Sequence, residues 1–213
     1  MYYVIYLAIS LWGIAVANAS NLSDVEILAY DSPPIIQKNF PYYLSGYDED
    51  GAPIWVFELG KWDVRTFLEK DNETAYAMDV ACDQMFLRFR ESAIKSPEKQ
   101  FLCICDLDKF SLRQATNLRT VQFIISRFLR FEQIIQSGYL KHGWMVNVNY
   151  VWDRVWQLGR PLLGALGSSI DVYGYNTEVW RPRLLKYLPW DQIPEWYGGY
   201  PNHKPIRFRN PEP

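Results

Sequence analysis

HGWMVNVNYVWDRVWQLGRPLLGALGSSIDVYG, His142 to Gly174, is the stretch on which the fold turns. Trp144 to Val148 reads as one strand and Ile170 to Tyr173 as another. Between them, Trp152, Val155, Trp156, Leu158, Leu162 and Leu163 recur at helical spacing, with Asp153, Arg154, Gln157 and Arg160 on the other face. Gly159, Gly164 and Gly167 loosen the end of that helix, because each raises the entropic cost of holding the chain still. A strand, a helix and a strand in succession make a crossover between parallel neighbours. An apolar helix with glycines in its second half is then either a plain crossover packed on its sheet or a lid over an apolar cavity.

Upstream, the same alternation repeats. Tyr42–Leu44 and Ile54–Leu59 flank the turn Gly46-Tyr-Asp-Glu-Asp-Gly51 and read as a hairpin. A short helix is expected over Lys61–Glu69. A longer one is expected over Asn72–Ser92, with Tyr76, Val80, Met85 and Phe89 on one face and Asp79, Asp83 and Arg90 elsewhere. Phe101-Leu-Cys-Ile-Cys is apolar throughout, as a central parallel strand is, and ends in Asp106-Leu-Asp108. Asn117–Gln136 is a third helix and Glu178–Leu188 a fourth, with Pro182 early in the latter, where a missing N–H matters least. Beyond Pro189 the chain has neither period, and 200–213 is expected to be an irregular tail. Strands alternating with helices predict an α/β fold with a mixed, mostly parallel sheet flanked by helices.

Composition narrows the function. The 213 residues are 49% hydrophobic, 22% charged and 16% aromatic, with 9 Trp and 15 Tyr. That suits one domain with a thick core or a pocket for a large apolar ligand. A net charge of −2 gives no footprint for nucleic acid. Residues 1–19 run apolar and end in Ala17-Asn-Ala19, the pattern of a signal peptide, so secretion is expected; a signal anchor is the rival, and a cytoplasmic protein follows if the leader does not function. Asn21-Leu-Ser and Asn72-Glu-Thr would then be glycosylation acceptors. The three cysteines, Cys82, Cys103 and Cys105, form no disulfide framework and read as buried thiols.

Catalytic motifs are thin. Asp106-x-Asp108 after an apolar strand is the opening of a metal-dependent phosphatase, with the first Asp as nucleophile. Phe110 stands where that motif wants Thr or Val, however, and no later strand ends in paired acids. The plainer reading is a pair of turn or cap carboxylates. His142 and His203 are the only histidines, no Gly-x-Ser-x-Gly elbow is present, and no cluster has zinc spacing.

Five pieces in order carry a resemblance: Phe40-Pro41 with Gly46-Tyr-Asp-Glu-Asp-Gly51-Ala-Pro53-Ile-Trp55; Cys105-Asp106-Leu-Asp108; Trp144-Met-Val-Asn147; Gly159-Arg-Pro-Leu-Leu163; and Leu188-Pro to Ile193-Pro-Glu-Trp-Tyr197-Gly-Gly199. From 33 to 199 the chain resembles the CRAL-TRIO lipid-binding domain family, relatives of α-tocopherol transfer protein, cellular retinaldehyde-binding protein and the yeast phosphatidylinositol/phosphatidylcholine transfer protein. The resemblance implies a non-enzymatic carrier of one hydrophobic ligand (phospholipid, tocopherol, retinoid or other isoprenoid) in an internal pocket closed by a gating helix. No cofactor beyond that ligand is implied, and transient contact with a membrane surface is, with Trp152 and Trp156 helping the gate to dip in. Carried over as pocket lining are Cys103, Cys105, Trp144, Val146, Val151, Val155, Trp156, Leu158, Leu162 and Leu163. Phosphoinositide-binding members have a Lys where Ser169 stands and a Glu near Gly138, so the resemblance favours a neutral or isoprenoid ligand.

Overall fold

The computed structural model describes residues 22–136 and 138–208; the leader expected over 1–19, the Asn21 sequon and 209–213 lie outside them. Six strands form one sheet: β1 Tyr42–Tyr47, β2 Pro53–Phe57, β3 Phe101–Asp106, β4 Leu140–Val146, β5 Ile170–Val172 and β6 Arg207–Phe208, in the order β5-β4-β3-β2-β1-β6. β2 to β5 run parallel, and β1 is antiparallel to both β2 and β6. β3 has a neighbour on each edge and a layer on each face, which is why every residue of Phe101–Asp106 is buried.

The helices are α1 Asp24–Ala29, α2 Pro34–Asn39, α3 Val64–Lys70, α4 Asn72–Lys95, α5 Leu112–Ala115, α6 Leu118–Ile135, α7 Tyr150–Gly159 and α8 Thr177–Leu184, with a 3-10 segment Arg160–Ser169 continuing α7. Several start where a side chain replaces a missing backbone partner. Asp63, Asp71, Asn117 and Asn149 accept from the backbone N–H of Thr66, Thr74, Thr120 and Trp152. The parallel strands advance across the sheet in sequence order, so three right-handed crossovers fall on one face. That face carries α4, α6 and α7 over Trp55, Cys103, Cys105 and Met145. The other is covered by α8 and the chain to Tyr197, with Trp180, Leu184, Leu188 and Ile193 against Ile54, Val56, Leu102, Ile104, Trp144 and Val146.

The tail departs from the expected irregular stretch. Glu195–Tyr197 makes a 3-10 turn, and the chain then returns so that Arg207 and Phe208 pair with Leu44 and Tyr43. The backbone N–H of Ile206 donates to the Leu44 carbonyl at 2.9 Å. A two-residue strand is too short for any period to show. Among the described residues no helix is long and apolar enough to cross a membrane.

Candidate functional site: an apolar cavity on the crossover face

Between the sheet and the crossover helices lies a cavity of about 90 Å³. Its sheet side is formed by Phe57, Cys103, Cys105, Gly143, Met145 and Ile170. Register explains the set: Cys103 pairs with Gly143 and Gly143 with Ile170, while Phe57 pairs with Cys105 and Cys105 with Met145. Directly paired residues share a face, so these rows look the same way. α4 contributes Cys82, Met85 and Phe86, and α6 contributes Phe123, Ile124, Phe128 and Phe131. Trp152 of α7 and Leu163 of the 3-10 segment close the remaining side. Burial pushes the Cys103 thiol up to about 12 and that of Cys105 well above the ordinary thiol range. Both are therefore neutral S–H groups at physiological pH, poor as nucleophiles and as metal ligands.

Of the residues expected to line a pocket, Cys103, Cys105, Trp144 and Leu163 border this cavity. Trp144 borders the cavity by its place between Gly143 and Met145, but its indole belongs to the opposite core, 5.6 Å from the Tyr187 ring. Val146 lies in that opposite core too. The strand period puts alternate residues on alternate faces, and Trp144 and Val146 pair with Ile104 and Asp106, not with the cysteines. Val155 and Trp156 are buried one layer behind the lining, the Trp156 ring 5.6 Å from Phe128. Val151, Leu158 and Leu162 are half-buried and outside the lining. Trp152, which belonged to the same helical stripe, is the lining residue α7 supplies. Trp152 and Trp156 are both buried, so neither is presented to a membrane as this segment sits.

The glycines of this segment play different parts. A Cβ at Gly159 would collide with the Phe128 ring, so Gly159 lets α7 lie close on α6 and is not a loose point. Gly164 is the break: φ 50, ψ −127 interrupts the 3-10 segment, with nothing within 4 Å of a would-be Cβ. Only glycine holds that conformation without strain.

Among the described residues one charged side chain, Arg127, lines the cavity, and it is neutralised. Arg127 of α6 pairs through Nη1 with Asp79 at 2.6 Å and donates to Asp83 at 3.0 Å, both on α4, and Arg130 Nε donates to Asp83 at 2.8 Å. Both carboxylates are 1% exposed. α4 is buried almost all round from Ala77 to Leu87, so polar groups within that run need partners.

At the carboxyl end of β3, Asp106 is spent on structure. Its Oδ1 accepts from Asn147 Nδ2 at 2.8 Å and the Asp108 N–H at 2.9 Å; its Oδ2 accepts from Trp196 Nε1 and the Tyr197 hydroxyl, each at 3.1 Å. A carboxylate holding four donors in a buried site is poorly placed to attack phosphorus. Among the described residues no three His, Cys, Asp or Glu side chains converge on a point that could hold a metal ion. The phosphatase alternative is not favoured.

The chain is thus a singly wound, mostly parallel α/β domain with an apolar cavity between one sheet face and its crossover helices. The profile of the CRAL/TRIO domain matches residues 37–199, and the chain belongs to that family. Among its relatives, the SEC14 cytosolic factor of Kluyveromyces lactis is 22% identical over 179 residues, 80% of this chain and 56% of that protein. Protein real-time of Drosophila melanogaster is 22% identical over 185 residues, 83% of this chain and 27% of that one. The chain thus spans about half the length of the first and about a quarter of the second. In architecture it matches the crystal structure of Sfh5 with a TM-score of 0.54 at 14% identity, covering 87% of this chain and 62% of that one.

Proposed function

We propose that this protein binds and transfers one hydrophobic molecule, without catalysis, in the cavity beneath residues 150–169, and that this segment is its gate. The observation that carries the reading is a cavity walled by apolar and sulfur-bearing side chains, with its one charged neighbour already neutralised, in a CRAL/TRIO chain. Burying apolar ligand surface there yields roughly 25 cal/mol per Å². Secretion through the leader, with glycans on Asn21 and Asn72, belongs to the same proposal and is supported by the sequence pattern. The test is transfer of a fluorescent lipid between vesicles, alongside native mass spectrometry of the protein purified from its source. Accelerated transfer and a co-purifying small hydrophobe are expected; neither appearing would sink the reading.

The size of the cavity favours a second reading, an interaction module whose pocket has filled in. An engineered cavity of about 150 Å³ binds benzene, and this void of about 90 Å³ is smaller than that. A carrier therefore has to enlarge it, and Gly164, next to the lining Leu163, is where the wall can move. Closure depends on Gly164 keeping a positive φ, so Gly164→Ala should disfavour the closed form by about 1–2 kcal/mol. Ligand loss, followed by dilution into acceptor vesicles, is then expected to quicken roughly 5- to 30-fold. An unchanged rate would place the moving part elsewhere.

A further inference from the structure

Buried sulfur is distributed unevenly in this protein. The core on the α8 side of the sheet contains no cysteine or methionine. On the crossover face, Cys82 and Met85 from α4, Cys103 and Cys105 from β3 and Met145 from β4 all line the single cavity described above. The three cysteines of the chain are thus all at one place. Facing them are the rings of Phe123, Phe128 and Phe131 from α6 and Trp152 from α7. The opposite core, a smaller one, is filled with Ala, Ile, Val, Leu, Trp and Tyr.

Resting on the carrier reading, we infer that the ligand is a conjugated or aromatic hydrocarbon skeleton rather than a saturated chain, with its polar end left outside the cavity. Sulfur against a π-system gains a polarisation contact that sulfur against a methylene does not. The phenyl and indole rings opposite prefer offset or edge contact with another π-system in the same way. A saturated chain would collect dispersion from both walls and nothing more. The Cys103 and Cys105 thiols, neutral S–H groups by virtue of their burial, can point a weak donor at a π face and bring no charge that would exclude it. The polar end is excluded by the same geometry. Arg127 is engaged by Asp79 and Asp83, so a carboxylate or phosphate pushed inside would meet no uncommitted cation, and a hydroxyl would exchange its water for an apolar wall.

The test uses the full chain and a matched pair of probes, the methyl ester of a conjugated octadecatetraenoic acid and methyl octadecanoate. These share chain length and head and differ in conjugation. Tetraene binding is read by energy transfer from tryptophan, and octadecanoate binding by competition. A preference for the tetraene of about tenfold or more is expected, each sulfur contact strengthening binding roughly two- to tenfold. The volume-conserving double variant Met85→Leu, Met145→Leu should reduce the ratio of tetraene to octadecanoate affinity several-fold. Equal binding of the two esters overturns the inference and leaves the carrier reading standing. A preference that survives both substitutions undiminished overturns the role given to sulfur. Binding of neither ester overturns the carrier reading itself.

Discussion

Replacing Arg127 with Met is expected to destabilise the fold by about 3–5 kcal/mol, the range for removing one partner of a buried ion pair. Arg127 is 14% exposed, and Asp79 and Asp83 are 1% exposed, so solvent screens the cluster little. Arg130 still reaches Asp83 in the variant, and the loss therefore falls chiefly on Asp79, which gives up its 2.6 Å arginine contact. Two controls separate charge from packing. Met keeps most of the arginine stem's volume, so little of the loss is cavity formation. Adding Asp79→Leu to Arg127→Met should recover most of the stability, because both members of the pair are then gone. The readout is the urea midpoint at constant slope. A change below about 1 kcal/mol for the single variant would mean the cluster behaves as an exposed ion pair.

That cluster also shows where reading the chain stops. Asp79 and Asp83 fall off the apolar stripe of their helix, and the periodicity alone does not say what surrounds them. A helix buried almost all round has no solvated face, and only the three-dimensional layer of α1, α3 and α6 around α4 makes it so. Cys103 and Cys105 were legible because a strand without polar residues is central and its alternate positions must share a side. Val146 falls in the opposite core for a related reason: alternation says which residues of β4 go together, and only the pairing of Cys103 with Gly143 says which set faces the cysteines. Trp152 was visible in the periodicity but not its depth, since α7 approaches α6 over Gly159 closely enough to bury it. The family resemblance supplied the order of elements. It did not supply the partners of Asp106, because Trp196 and Tyr197 lie some 90 residues further on in an aperiodic stretch.

Asp106→Ala is the second large effect expected, a loss of about 3–5 kcal/mol, since buried donors left without an acceptor cost about 1–3 kcal/mol each. Four donors are involved, and they belong to three different parts of the chain. Trp196 and Tyr197 fasten the turn that ends in Gly198, so hydrogen exchange should rise over 194–200 before the sheet itself opens. Asn147 sits at φ 57, an uncommon conformation for a residue other than glycine, held in part by its bond to Oδ1. Two residues on, Asn149 caps α7. Releasing Asn147 therefore loosens the root of the segment proposed as the gate, and ligand loss should quicken together with the fall in stability. Asp106→Asn keeps one acceptor for Asn147 and the Asp108 N–H but turns an amide toward Trp196, so an intermediate loss is expected. The same pair of variants bears on catalysis. If the wild type hydrolysed a phosphomonoester with Mg²⁺ and Asp106→Asn alone abolished it at unchanged stability, the carboxylate would be a nucleophile after all. Its four bonds favour the opposite outcome, in which the variant loses stability and there is no turnover to lose.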